Sequence, residues 1–152
     1  LKQEIVGSVA SLIRSADSKI ENVCAQLYNQ LSRFSVGRSK LCERNSSVQA
    51  ILTMTKSDNE DTKMIAVRTC CNLFLDPGVR KSFIKWNGIL AIENGLGKRQ
   101  KDKETLNSSL KALYVCCDDN DFLLRCSQTS IPRQLFKILI DTSLSELEYL
   151  FV

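Results

Sequence analysis

Cysteine is the residue type in this chain with the most reactive side chain, and seven cysteines occur in 152 residues. Thiols can form disulfides, bind zinc or act as nucleophiles. The chain has no histidine and no Cys-x-x-Cys pair, so zinc binding and Ser-His-Asp or Cys-His catalysis lack their usual partner residues. The sequence therefore predicts buried, reduced, structural thiols, with no catalytic residue, no metal and no cofactor.

Carboxylates occur in two polar clusters between apolar segments. The clusters consist of Asp58, Glu60 and Asp61, and of Asp118, Asp119 and Asp121. Acidic side chains in such positions cap helix N-termini by accepting hydrogen bonds from backbone N–H groups. Since the sequence also has no glycine-rich phosphate-binding motif, we expect helix capping at these clusters and no enzymatic activity.

A basic run offers a different chemistry. It contains Lys98, Arg99, Lys101 and Lys103, in a chain whose net charge is +4. Nucleic-acid binding would use such charges, but the run has no aromatic residue that could stack on a base. We therefore expect a solvated loop and no nucleic-acid partner, and keep an RNA-binding helical repeat array as an alternative function.

The chain repeats itself at a period of about 42 residues. Three similar blocks begin at Cys24, Ala66 and Ser109, at offsets of 42 and 43 residues. A second set of apolar positions, Leu41, Phe83 and Leu124, recurs in phase. A period in the forties is typical of helical solenoids, whose units bury their apolar faces by stacking on one another.

Apolar spacing of three and four residues predicts three helices in each period: a short one, a medium one and a long one. The short helices are predicted at about 37–45, 79–86 and 121–129, and the medium helices at about 47–56, 88–96 and 131–141. The long helices carry the repeated block. Their packing stripes are predicted as Ile20, Val23, Cys24, Leu27, Tyr28 and Leu31; Ile65, Ala66, Thr69, Cys70 and Leu73; and Leu106, Leu110, Leu113 and Cys116 or Cys117.

The organisation predicted from this period is a single domain spanning 1–152. It comprises a partial unit at 1–34, full units at about 37–75 and 79–117, and a partial unit at 121–152. We expect a fragment of a longer chain, in which Ser143 begins a further long helix that leaves Leu147, Leu150, Phe151 and Val152 exposed. Such ends would self-associate. With no membrane-length apolar stretch or secretory leader in view, we expect a cytoplasmic protein, with nuclear or cytoskeletal location as variants.

Residues 59–81 resemble the armadillo repeat in its most characteristic stretch. There, an alanine- and leucine-containing helix ends in Asn72-Leu73, and a short turn with Arg80 follows. Residues 86–92 are similar to the Gly-Ile-Pro-x-Leu start of the family's second helix, and Ser130-Ile131-Pro132 repeats that start with its proline. The resemblance covers the whole chain and implies an all-α, right-handed superhelical solenoid of stacked three-helix repeats.

In the armadillo family, the third helices line a concave groove in which a tryptophan and an asparagine four residues later hold an extended peptide. The tryptophan position is occupied here by Gln26, Arg68 and Lys111, and the asparagine position by Gln30, Asn72 and Val115. Only Asn72 retains the family residue. The resemblance implies a protein–protein interaction scaffold or adaptor.

The predicted peptide-binding residues are Gln26, Gln30, Arg68, Asn72, Asn107 and Lys111. Amides can bond a peptide backbone, and Arg68 and Lys111 favour an acidic partner. Since Arg68 and Asn72 lie off the packing stripe, we expect neither to contribute to packing. One alternative is a structural solenoid segment of a large cytoskeletal or ciliary protein, with the groove empty or filled by the same chain. A narrower form of the scaffold prediction follows from residues 66–72, which are similar to the helix of PUL-type armadillo domains and imply binding to the acidic tail of an AAA ATPase.

Overall fold

A computed structural model describes residues 8–10, 12–13, 17–97 and 102–150, without the side chains of 142–150. Every regular element in these ranges is helical, with no strand among them. The all-α prediction is therefore confirmed.

Nine α-helices follow a short helical stretch at 8–10 in the described part of the chain. They are α1 (Ser18–Ser32), α2 (Ser35–Cys42), α3 (Asn45–Met54), α4 (Glu60–Phe74), α5 (Pro77–Lys85), α6 (Ile89–Gly97), α7 (Lys103–Cys116), α8 (Asn120–Ser127) and α9 (Ile131–Leu150). The predicted order of helices recurs, with α1, α4 and α7 as the long ones, but the expected difference between short and medium is absent for α5 and α6, which both have nine residues.

The last helix departs from the prediction. A medium helix was expected to end near residue 141 and a long one to begin near Ser143, but α9 continues as one helix of 20 residues. The sequence from Asp141 to Leu150 contains no glycine or proline, so nothing in it ends the helix. The prediction of a separate final helix is wrong, and the exposure expected at residues 147–152 lies outside the described side chains.

Each long helix begins at an equivalent N-cap. Asp17, Asn59 and Asp102 stand one period apart, and each side chain accepts a hydrogen bond from a backbone N–H of the first turn, at 2.8, 3.0 and 3.0 Å. Asp119 caps α8 in the same way, at 3.1 Å. The repeat thus includes the residues that start the helices, and Asp119 confirms the capping role predicted for its acidic cluster.

The break between α5 and α6 depends on Asn87, whose φ of 66° is in the left-handed region. The N–H of Gly88 donates to the carbonyl of Phe83, and that of Asn87 to the carbonyl of Ile84, both at 3.1 Å. This is a Schellman end, which favours asparagine or glycine at the left-handed position. A Cβ on Gly88 would lie 2.3 Å from the Phe83 ring, so glycine is required there.

The long helices lie in a row, with α1 packed on α4 and α4 packed on α7. Around this row, α3, α5 and α6 also contact α4, α2 contacts α5, and α6 contacts α9. Helix α4 is the centre of the core, and its buried residues are Thr62, Met64, Ala66, Val67, Thr69, Cys70, Cys71, Leu73 and Phe74.

Two arginines repeat one contact between units. The guanidinium of Arg38 donates to the carbonyl of Ser32 at 3.1 Å, and that of Arg80 donates to the carbonyl of Phe74, also at 3.1 Å. Both carbonyls belong to the last turn of the preceding long helix, which a cation stabilises. Each of these arginines therefore joins its short helix, α2 or α5, to the long helix before it.

The packing stripe predicted for α1 is only partly correct. Cys24 and Tyr28 are buried, but Ile20, Val23 and Leu27 are exposed, Val23 to 64%. The corresponding positions of α4 are buried or half-buried because α4 lies between two long helices. In the described part of the chain α1 has a long-helix neighbour on one side alone. None of the described helices combines the length and apolar character that a membrane span requires.

Candidate binding face of the long helices

The six predicted site residues lie on the three long helices. Gln26 and Gln30 belong to α1, Arg68 and Asn72 to α4, and Asn107 and Lys111 to α7. Four are exposed, while Arg68 and Asn72 are half-buried. Each pair is four residues apart and so shares one side of its helix. We call these six residues, together with Arg33, the long-helix face.

Asn72 joins two long helices. Its side-chain Nδ2 donates to the Oγ of the buried Ser32 on α1 at 2.9 Å and lies 3.5 Å from Oδ1 of Asn29. The expectation that Asn72 does not contribute to packing is therefore wrong. The repeat period gave no sign of this bond because Ser32 and Asn72 do not occupy equivalent positions.

Arg68 also joins two helices. Its Nη1 donates to the carboxylate of Glu104, in the first turn of α7, and the other oxygen of that carboxylate lies 3.8 Å from Nη2 of Arg33. The Arg68 side chain is only 17% exposed. Arg68 was expected to be free of such contacts, and that expectation is wrong. Neither Arg33 nor Glu104 was predicted, since neither belongs to the repeated pattern.

The guanidinium of Arg68 is only partly satisfied. Its Nε is buried and has no hydrogen-bond partner among the described residues. Guanidinium has five N–H donors in a planar fork, which suits a carboxylate bound through two of them. A buried donor without a partner lowers stability by about 1–3 kcal/mol. The Arg68 fork therefore has capacity for a further acceptor.

A second carboxylate influences the surroundings of Arg68. Burial raises the pKa of Asp102, but hydrogen bonds from Thr105 and the positive charge of Arg68 outweigh it, so the pKa is lowered overall. Asp102 is occupied as the N-cap of α7. The charges near Arg68 are thus balanced, and Lys111 adds an exposed cation that forms no ion pair within the described ranges.

The remaining side chains of the long-helix face are amides. Nε2 of Gln26 donates to Oδ1 of Asn22 at 2.8 Å, whereas Gln30 and Asn107 are exposed. Within the described part of the chain, no hydrogen bond joins two of the six predicted residues; their contacts are with neighbours. The structure places the six on one row of helices without assembling them into a single cluster.

The cysteines are all free thiols, and five of the seven are buried. Burial raises the pKa of Cys71 to about 12 and that of Cys116 to about 11, and it raises the pKa of Cys70 well above its usual range. These thiols therefore stay protonated at neutral pH, which confirms the prediction that the paired positions direct thiols into the core. The described residues contain no cluster of three or more side chains that could hold a metal ion.

The other predicted features are outside the long-helix face. Lys98, Arg99 and Lys101 lie outside the described residues, and Lys103 is exposed in the first turn of α7. Trp86 is half-buried against the core. Neither feature adds a second candidate site.

Comparison with family models, with curated proteins and with solved structures gave no match. The structure itself shows an all-α protein in which the order of helices repeats. Inference about function begins from the long-helix face and from the sequence resemblance.

Proposed function

We propose that this chain is an armadillo-type solenoid that acts as a protein–protein interaction scaffold and binds an extended acidic segment of a partner along the long-helix face. Support comes from the sequence resemblance, the repeated helix order and the row formed by α1, α4 and α7. A right-handed superhelix of stacked three-helix units, in one domain across 1–152, is part of this proposal. The proposal also includes the absence of catalytic activity and of a cofactor.

The observation that carries the proposal is the contact of one carboxylate with arginines from two successive units. Glu104 contacts both Arg33, which follows α1, and Arg68 on α4. The two arginines around Glu104 would offer the same contacts to an aspartate or glutamate of a ligand. Exposed glutamines on the same side of α1 offer donors and acceptors for a peptide backbone.

We further propose a reducing compartment, and specifically the cytoplasm, with the nucleus or cytoskeleton as variants. The free thiols support it, because an oxidising compartment would favour disulfides.

The test of the peptide proposal uses a fluorescein-labelled peptide of alternating glutamate and serine, with anisotropy measured at low salt. Lys111→Glu should weaken binding several-fold, since an exposed charge pair contributes about 0.2–1 kcal/mol and the variant replaces attraction by repulsion. Lys56→Glu is the matched control, because Lys56 is an exposed lysine outside the long-helix face. Equal losses in both variants, or no saturable binding by the wild type, would contradict the proposal.

A structural solenoid segment is the second candidate function. It is favoured by the bonds from Asn72 to Ser32 and from Arg68 to Glu104, which satisfy part of the long-helix face from within the chain. Such a segment should not bind the acidic peptide. The RNA-binding alternative is tested in the same assay with a labelled single-stranded RNA, which should bind more weakly than the peptide if the peptide proposal is correct.

We also propose that the isolated chain self-associates by continuing the row of long helices from one copy to the next. One end of the row exposes Ile20, Val23 and Leu27 on α1. The other exposes 78% of Tyr114 on α7, beside a wholly apolar groove of about 380 Å³ that includes Leu123. By the repeat offset, Tyr114 corresponds to Cys71, which is buried where α4 meets α7. Contact between these ends would be head to tail.

Sedimentation velocity over a wide concentration range checks this association. The wild type should form dimers or larger species as concentration rises, and Tyr114→Lys should shift the equilibrium towards monomer. Leu90→Lys is the control, because it places the same charge at an exposed apolar residue of α6 that lies on neither end. A wild type that stays monomeric throughout would overturn the proposal.

A further inference from the structure

The Arg68 guanidinium is built as a carboxylate subsite that is incompletely filled. Its side chain is mostly buried, its Nη1 is bonded to Glu104, and its buried Nε has no partner among the described residues. A guanidinium forms its strongest contact when a carboxylate accepts from two of its N–H groups. The bond with Glu104 uses Nη1, so a carboxylate that accepts from both Nη1 and Nη2 would be held more strongly.

Glu104 is suited to leaving this position. Its side chain is 59% exposed, and its second contact, to Arg33, spans 3.8 Å between two side chains that are both more than half exposed. Exposed ion pairs contribute little to stability. Because Glu104 lies in the first turn of α7, the helix dipole stabilises its charge whether or not it contacts Arg68. The main cost of displacement is therefore the bond to Nη1 of Arg68, which the incoming carboxylate replaces.

We propose that Glu104 is an internal competitor for ligand, occupying the subsite at Arg68 and Arg33 until a carboxylate of an acidic peptide replaces it. This inference rests on the proposed peptide-binding function. The incoming carboxylate accepts from Nη1 and Nη2 of Arg68, and Glu104 turns to solvent. Glu104 thereby lowers the affinity for every carboxylate ligand at this subsite.

The test measures affinity for the glutamate–serine peptide described above. Glu104→Gln removes the competing charge with little change in shape, and it should raise affinity about five-fold, as expected for loss of an interaction of about 1 kcal/mol. Glu60→Gln is the matched control, because Glu60 is an exposed first-turn glutamate on α4 that contacts Lys63 at 3.2 Å. Both variants change the net charge equally.

Two further measurements separate competition by Glu104 from a general effect of the changed net charge on affinity. In the double variant Arg68→Gln with Glu104→Gln, the gain in affinity should vanish, which a double-mutant cycle expresses as coupling between the two residues. In the wild type, the Nε–H resonance of Arg68 should shift when peptide is added. Circular dichroism of each variant verifies that it is folded.

The outcomes distinguish this inference from the proposed function. If the wild type binds the peptide but Glu104→Gln gains no more than Glu60→Gln, or if the Arg68 resonance does not move, competition by Glu104 is refuted while peptide binding stands. If neither the wild type nor Glu104→Gln binds the peptide, the proposed function itself is refuted.

Discussion

Replacement of Phe74 by alanine is expected to lower the free energy of unfolding by about 3–5 kcal/mol. Phe74 is the last residue of α4 and is fully buried. Its ring meets Phe83 of α5 edge-to-face, with centroids 5.0 Å apart and an interplanar angle of 72°, and Phe122 of α8 at 5.6 Å and 67°. One side chain thus joins three helices, and its loss leaves a cavity between them.

Urea denaturation followed by circular dichroism measures this loss. Phe74→Leu should be milder, at roughly 1–3 kcal/mol, because it keeps most of the buried apolar volume but loses the two aromatic contacts. Phe136→Ala is the surface control, since Phe136 is 66% exposed, and its effect should stay within about 0.5 kcal/mol. If Phe74→Ala were no more damaging than Phe136→Ala, the junction of α4, α5 and α8 would not be packed as described.

The helix order could be predicted because local signals recur with the period. Pro77 begins α5, Asn87 ends the segment before α6, and Pro132 lies in the first turn of α9, each at a break visible in the sequence. The error at α9 has the same origin, since the period placed a break near Ser143 where no residue favours one. The repeat period indicates where a helix break is expected, but a break forms only where the local sequence contains a residue that ends a helix.

The face of each helix was less predictable than its bounds. On α1, the spacing of Ile20, Val23 and Leu27 correctly indicated an apolar side, yet that side is exposed. An apolar stripe indicates which residues can be buried, but burial also requires a neighbouring helix that covers them. The same limit explains why Ile20 is exposed while Thr62, the residue at the equivalent position of α4, is buried.

Contacts between site residues depend on how the helices cross, which the spacing does not contain. The repeat positions relate Arg68 to Lys111 by one period but do not show which way either side chain faces. They gave no indication that Glu104, 36 residues further along the chain, would contact Arg68, or that Arg33 would reach the same carboxylate. The prediction that these polar positions are independent of packing failed for this reason.

Stability is expected to fall steeply as the pH rises above about 9. Burial raises the pKa of Cys71 from its ordinary value of 9.0 to about 12 and that of Cys116 to about 11, and it raises the pKa of Cys70 well above its ordinary value. Between the unfolded and folded pKa values, the native state binds more protons than the unfolded state, so the free energy of unfolding decreases with pH. Below pH 9 both states are protonated and this contribution is constant.

The expected slope is about 1.4 kcal/mol per pH unit for each thiol that ionises only on unfolding. Burial likewise raises the pKa of Cys42 to about 12 and that of Cys126 to about 11. Five such thiols give a slope of about 7 kcal/mol per pH unit, which is large against a typical stability of about 5–15 kcal/mol. Burial also raises the pKa of Tyr28 to about 12, which adds a decrease of the same sign. An ordinary tyrosine ionises near pH 10, so the slope between pH 9 and 10 is dominated by the thiols.

Urea titrations at several pH values from 8 to above 10 determine this slope. Cys116→Ala should reduce it by about 1.4 kcal/mol per pH unit, whereas Cys117→Ala, which removes the exposed neighbouring thiol, serves as the matched control. Thiol titration at neutral pH should find few reactive groups in the native protein and all seven after denaturation. A stability that stays constant up to pH 10 would mean that these thiols are not buried in the native protein, and the packing of α4 against α7 would then have to differ from the one described.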